Sequence, residues 1–453
     1  MAEQIPHENP DLEGAWPSEA ATRPPFHPRD PWVWHLAICA LFAGLASIRL
    51  TMPTIPFFDE VHYLPAARDL LAVWDGGEAI YRNKEHPLLG KTLIALGMAL
   101  FGDNPLGWRF MSLVAGVVAV GASMRALWHA SEDRFASLAF GALLITGFHL
   151  FIHARIAMLD IFMVSALAIA AWQFAAAIRK PEQGRWRLAL TGIAIGLAMG
   201  AKWNALPLAP VFGLAFFVCR LSAGRRRLLL SRRGAPVPGI SLLEAFVWLA
   251  TLPLAIYALT FAPGYWLGTE VEPSLLAQEG IVAFHGEILS LQRQVLEAHP
   301  YQSTWDQWAL NTRAIWYLYE DVDGALRGVL LIGNPLTMLL GLSAVLWCLG
   351  MGLYHKDAAK LAVVIGYAVS LGFWIIAPKP VQFYYHYTIP SVFLLGALAL
   401  SLSDVRKAGW PWVSYGVLAA SLAVFAWFFP ILSAAPLEPP TTFEDWMWLD
   451  SWV

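Results

Sequence analysis

The stretch FFDEVHYLPAARDLLAVWDGGEAIYRNKEHPLLGK, residues 57–91, decides how this chain is read. It follows an apolar run of membrane-spanning length and opens on an adjacent acid pair, Asp59 and Glu60, with His62 and Tyr63 close behind. It closes on Glu85, His86 and Pro87, then Gly90 and Lys91. An apolar chain offers few places where acids, histidines and a lysine crowd together. The remainder reads as scaffolding around them.

Outward from that stretch the chain is hydrophobic. Of its 453 residues 58% are hydrophobic and 14% charged, against about 25% charged in soluble domains. Apolar runs near 20 residues recur, each long enough for a hydrocarbon core about 30 Å thick, so the expected fold class is an all-α polytopic membrane protein. The net charge of −3 decides little, because charge in such a chain is sorted by side. Cys39, Cys219 and Cys348 all lie in apolar runs, without metal or disulfide spacing, and read as buried small hydrophobes. The 22 tryptophans suit many membrane–water boundaries. Residues 1–31 are polar and proline-rich, a disordered cytoplasmic N-terminus. They lack the basic start of a cleavable signal, so the first apolar run should persist as a helix.

Eleven spans are expected, at 32–52, 107–128, 135–152, 156–178, 188–202, 206–219, 240–262, 327–352, 361–376, 387–402 and 412–429. Residues 61–74 should form an amphipathic piece, and 87–101 a helix lying along the interface. Residues 32–262 form the membrane module, with an external loop at 53–106. A loop follows at 263–326, then C-terminal transmembrane helices at 327–430 and an external tail at 431–453. Arginines and lysines crowd the loops after the fourth, sixth, eighth and tenth spans, so those loops are cytoplasmic. Asp59, Glu60, Glu85, His86, Asp160 and His299 then share the external face. If 87–101 crossed instead, span parity would break and Asp160 would change sides.

An acid pair at that face can deprotonate a hydroxyl, bind a cation, or sit as solvated loop charge. Asp160, in RIAMLDIF at the head of an apolar span, is costly to bury and therefore a functional candidate, or else a helix N-terminal charge favoured by the dipole. Lys91, Arg109, Arg155, Lys202 and Lys379 could hold a phosphate, or could snorkel to the interface one by one. Acids opposite an anion seat suit sugar transfer from a lipid phosphate. The acceptor hydroxyl gives its proton to a carboxylate, and cations steady the leaving phosphate. A transporter would place its charges near the midplane, commonly in repeated halves; no repeat is evident here.

The ordered set DEVHY at 59–63, EHPLLGK at 85–91, RFMSLVAG at 109–116, RIAMLD at 155–160, GLAMGAKWNAL at 196–206, HPYQSTWDQW at 299–308, GNP at 333–335 and FYYHYTIP at 383–390 resembles the protein O-mannosyltransferase family, within the GT-C glycosyltransferases. The resemblance covers nearly the whole chain. It implies transfer of mannose from a polyprenyl-phosphate carrier to Ser or Thr of proteins, with inversion, at the periplasmic side of the cell inner membrane. By position, Asp59 would be the base and Glu60 its support. His62, Glu85, His86, Lys91, Arg109, Arg155, Asp160, His299, Tyr301, Lys379 and His386 would contact donor or acceptor. The implied partners are a polyprenyl-phosphate-linked sugar donor, a protein acceptor with Ser or Thr, and membrane lipids, with no nucleic acid. No cofactor is required by the resemblance. Glu85 and Asp160 stand where related lipid-linked transferases bind a metal, so a divalent cation there stays open. Two departures matter. Leu88 replaces the second proline of the usual HPPLGK. The 263–326 loop has no room for the trefoil domain of eukaryotic members, which points to a bacterial form and leaves a lipid or envelope-glycan acceptor as the alternative.

Overall fold

The computed structural model describes residues 30–224, 227–293, 297, 299–377, 379, 381–437 and 442–452; the expectation for 1–31 falls almost wholly outside them. The chain is helical, with α1 at Trp32–Ser47, α2 at Glu60–Trp74, α3 at Leu89–Phe101, α4 at Pro105–Ser131, α5 at Arg134–Thr146, α6 at His149–His153, α7 at Leu159–Arg179, α8 at Gly184–Ala201 and α9 at Ala209–Ser222. Then come α10 at Leu242–Phe246, α11 at Leu252–Leu259, α12 at Leu275–Gln292 and α13 at Trp305–Ala309. A hairpin of β1, Ile315–Val322, and β2, Ala325–Leu331, precedes α14 at Pro335–His355, α15 at Ala358–Ile376, α16 at Thr388–Lys407 and α17 at Pro411–Leu432, and β3 is Pro436–Leu437.

Among the described residues eight helices are long and apolar enough to cross a membrane, so the protein is a multi-pass membrane protein. The spans differ from expectation in three places, two of them with a local cause. α1 has 16 residues and α5 has 13. The expected 135–152 span is interrupted at Gly147 and Phe148, where Phe148 takes a φ of 74°, outside the helical region. The expected helix from 327 starts at Pro335 instead, because 325–331 is strand. Asn334 caps that helix, accepting from the amides of Leu336 and Thr337. The hairpin turns at Asp323 and Gly324, with φ of 54° and 72°, the left-handed pair that a two-residue turn requires.

α7 is the axis of the amino-terminal half, packed between α4 and α8, and α16 plays that part for α14, α15, α17 and α5. α8 meets the 242–260 region at close contact, against backbone at Trp248 and against a side chain at Thr260. A Cβ at Gly192 would lie 2.0 Å from the Trp248 carbonyl, and one at Gly200 would lie 2.5 Å from Thr260 Oγ1. Small residues permit such approach between membrane helices. α3, at 13 residues, is about 20 Å long, short of the hydrocarbon core. It packs on α4 and α2, as a helix lying along the interface would.

Candidate active site

The candidate site lies where α2, α7, the end of α8, Lys379, the 381–387 segment and β1 converge, a partly open hollow in which Asp59, Glu85, His86, Lys379 and Tyr385 each keep some exposed surface. Asp59 is the N-cap of α2 and accepts from Tyr63 Oη at 3.3 Å, one turn on. Asp160, in the first turn of α7, is fully buried. Its Oδ2 takes the Lys202 ammonium at 2.6 Å, while its buried Oδ1 has no partner. Lys202 follows the last residue of α8 and lies 4.8 Å from the centre of the Tyr385 ring. Lys202, Asp160 and His62 all act electrostatically on Asp59. Enclosure raises the Asp59 carboxyl above its usual range, Lys202 pulls it back and Asp160 pushes it up. Lys379 feels Lys202, Asp59, Asp160 and Glu85, and its enclosure is the largest effect, lowering its affinity for the proton. His86 packs edge-on to Tyr63 at 6.0 Å and lies within reach of Lys202, Lys91 and Lys379. The structure therefore brings Asp59, Asp160, Glu85, His86 and Lys379 into one neighbourhood, with Lys202 at its centre and the exposed His62 at its edge.

Other expected site residues are held elsewhere. Glu60 is fully buried and receives Arg109 through Nε and Nη2, both at 2.8 Å, plus the Ala157 amide at 2.9 Å. Arg109 gives its remaining donors to the carbonyls of Leu50, Pro53 and Ile55. This pair ties the approach to α2, next to Asp59, against α4 and the entry to α7. Arg155 donates to the carbonyls of Ala46, Ile48, Arg49 and Ser433. Lys91 donates to Asn83 O at 2.6 Å and His86 O at 2.8 Å. The expectation that Arg109, Arg155 and Lys91 clamp a phosphate is thus not how they are placed. Their donors close loops, because a buried carbonyl left without water needs a partner. Gly90 lets the start of α3 touch Leu159, the neighbour of Asp160.

The 299–308 loop docks on the 382–386 segment. Ser303 N donates to Gln382 O at 2.8 Å, and Trp308 Nε1 to Ser303 Oγ at 2.8 Å. His299, exposed, meets Phe383 edge-on at 5.2 Å and accepts the Tyr301 amide at 3.1 Å. His386 is buried against Trp374, with ring centres 3.9 Å apart. Both expected loop residues therefore border the hollow without touching its carboxylates. Tyr385 and Tyr317 are wall residues that motif reading did not single out as chemistry-bearing. A divalent cation does not fit the Glu85 and Asp160 pair. Asp160 already holds an ammonium, Glu85 Oε1 accepts from Asn83 Nδ2 at 2.8 Å, and no group of three His, Cys, Asp or Glu able to hold a metal occurs among the described residues.

A polytopic helical bundle with juxtamembrane helices α2 and α3 closing over such a hollow defines a GT-C membrane glycosyltransferase. The backbone is similar to the S. cerevisiae protein O-mannosyltransferase Pmt1-Pmt2 complex bound to the sugar donor, with a TM-score of 0.75 at 15% identity over 92% of each chain. It is also similar to ArnT from Cupriavidus metallidurans bound to undecaprenyl phosphate, with a TM-score of 0.57 at 16% identity over 86% of this chain and 64% of that one. Within that class the chain belongs to the protein O-mannosyltransferase family. The family model described as dolichyl-phosphate-mannose-protein mannosyltransferase matches residues 102–269, and the C-terminal four TMM region of protein-O-mannosyltransferase matches 278–452. Polyprenol-phosphate-mannose–protein mannosyltransferases are similar along nearly their whole length. The one from Mycolicibacterium smegmatis is 28% identical over 96% of both chains, and that from Mycobacterium tuberculosis 27% over 92% of this chain and 90% of its own.

Proposed function

We propose that this protein transfers mannose from a polyprenyl-phosphate-mannose donor to Ser or Thr hydroxyls of proteins, with Asp59 as general base. The observation that carries the assignment of roles is the convergence of Asp59 with the Lys202–Asp160 pair and Lys379 in one hollow. The acceptor hydroxyl gives its proton to Asp59 as its oxygen bonds to the anomeric carbon. The bond from that carbon to the phosphate oxygen breaks, and polyprenyl phosphate leaves with the electron pair. A single displacement inverts the anomeric centre. Lys202 and Lys379 face the leaving phosphate as point charges. Asp160 holds Lys202 in place, and its free Oδ1 can accept from a sugar hydroxyl. Glu60 and Arg109 fix the start of α2, hence the aim of Asp59.

Eleven crossings follow if α1, α5 with α6, and α8 are counted with the eight long helices. The basic loops then face the cytoplasm, and the hollow opens on the periplasmic side of the inner membrane. Purified protein in proteoliposomes, given polyprenyl-phosphate-mannose and a Ser/Thr-rich peptide, should yield mannosylated peptide, while Asp59→Asn should make it at least about a hundredfold more slowly. An active Asp59→Asn protein would remove the base assignment. Mannose appearing on lipid and never on peptide would move the acceptor.

A further inference from the structure

Tyr317 enters the hollow by an irregularity. In the β1–β2 pairing Trp316 faces Leu330 and Leu318 faces Val329, so Tyr317 is an extra residue without a partner across the ladder. A bulge of this kind redirects a side chain, and bulges concentrate beside active sites. Here the redirected ring stacks on Phe58, with centres 4.0 Å apart and planes 20° apart. Phe58 in turn meets Tyr385 edge-on at 6.1 Å, and Tyr385 is the ring beneath the Lys202 ammonium. The ring series Tyr317–Phe58–Tyr385 therefore passes through the residue beside Asp59 and ends at the cation seat. Phe58 itself holds a φ of 50°, a left-handed conformation that an aromatic residue adopts only when its surroundings impose it. The Tyr317 hydroxyl is turned away from the carboxylates towards His153. The His153 Nδ1–H donates to the His149 carbonyl at 2.8 Å, which leaves Nε2 to accept from Tyr317 Oη at 3.2 Å.

We propose that Tyr317 is a positioning residue for the transfer, its bulge-aimed ring fixing the spacing between the Asp59 carboxylate and the Lys202 seat by pressing on Phe58. The proposal rests on the base assignment made above. What matters is the face of the ring; the hydroxyl anchors the ring to α6 and takes no part in the proton's path. Without the ring, Phe58 can relax from its strained conformation, and Asp59 turns with it. A displacement of about 1 Å in a reacting group costs on the order of a hundredfold in rate. Water would also reach Asp59, which is faced by His62 and Tyr63 from α2, by Asp160 from α7, by Lys202 beyond α8, and by Lys379 and Tyr385.

The test compares Tyr317→Phe and Tyr317→Leu in the full-length protein, with polyprenyl-phosphate-mannose and a Ser/Thr peptide, and Asp59→Asn alongside. Tyr317→Phe keeps the stack and should retain kcat within about threefold. Tyr317→Leu should lower kcat by roughly ten- to a hundredfold with little change in donor KM, the signature of lost alignment. Its pH–rate profile should also lose activity at a lower pH than the parent's, because a better-hydrated Asp59 stays ionised further into acid. A merely structural tyrosine would lower the melting temperature and the active fraction together and leave the pH profile in place, and that result overturns the proposal. So does a Tyr317→Phe variant as impaired as Tyr317→Leu, which would make the hydroxyl the important part. If Asp59→Asn is active, the base assignment fails first; if Asp59→Asn is dead and Tyr317→Leu is normal, the positioning role alone fails.

Discussion

Arg109 and Arg185 are both ion-paired, and the two pairs do different work. Arg109 and Glu60 have no exposed side-chain surface, and every remaining donor of the guanidinium closes on a carbonyl. Arg185 meets Glu244 at 2.7 Å, but 58% of its side chain is exposed. It lies in one of the loops crowded with arginine. Two regions therefore spend the same residue type in opposite ways. Water shares the charge of an exposed basic-loop arginine such as Arg185, so its loss costs little, whereas Arg187 and Arg220 of the same loops are buried on glutamine oxygens and backbone carbonyls. Beside the hollow the Glu60–Arg109 and Asp160–Lys202 pairs are buried, and neither member of a pair can be removed without stranding the other.

The sharpest way to test that contrast is Asp59→Asn, which should cost about 10²–10⁴ in transfer rate while leaving the melting temperature close to the parent's, measured with labelled donor and by thermal unfolding in detergent. Arg109→Met should be the largest stability effect. Removing one partner of a fully buried pair costs about 3–5 kcal/mol, which would appear as poor yield or a strongly lowered melting temperature. If Arg109→Met melted normally and instead raised the donor KM, the pair would be a phosphate site after all. Lys202→Met should raise donor KM roughly tenfold or more, since a hydrogen bond to a charged group is worth about 1.5–3 kcal/mol. It should lower kcat as well.

The pH dependence tests the hollow without a substitution. A base works only when deprotonated, and enclosure raises the Asp59 carboxyl, so kcat/KM should fall on acidification at a pH above the ordinary value of 3.8. A profile flat down to pH 4 would mean that Asp59 is as solvated as any surface acid. Smallest of all, Arg185→Gln should change stability by no more than about 1 kcal/mol and leave the rate alone. A lost activity there would erase the distinction between the two regions.

The membrane architecture was legible because long apolar runs and clustered arginines are signals that no tertiary detail can hide. Asp59, Asp160 and Lys202 were legible for a related reason, as charges that an apolar chain retains only for cause. Legibility failed where polar side chains satisfy backbone. Nothing local says that Arg155 will bind four carbonyls from segments 106 to 278 residues away, or that Lys91 will fasten the loop bearing His86. The hairpin did carry a signal, Asp323-Gly324 between two apolar runs, but its β2 half is apolar enough to pass for the start of a membrane helix. Tyr317 could not be found that way, because a bulge depends on how two strands slip past one another.

The glycines of α8 extend the site's dependence well beyond its lining. Lys202 is delivered by a helix laid directly on the Trp248 carbonyl and on Thr260, with no room for even a methyl group at Gly192 or Gly200. A substitution there, buried among lipid-facing helices, would slide the lysine away from Asp160. In an assay it would look like weakened donor capture, and a search confined to the neighbourhood of the sugar would never locate the lesion.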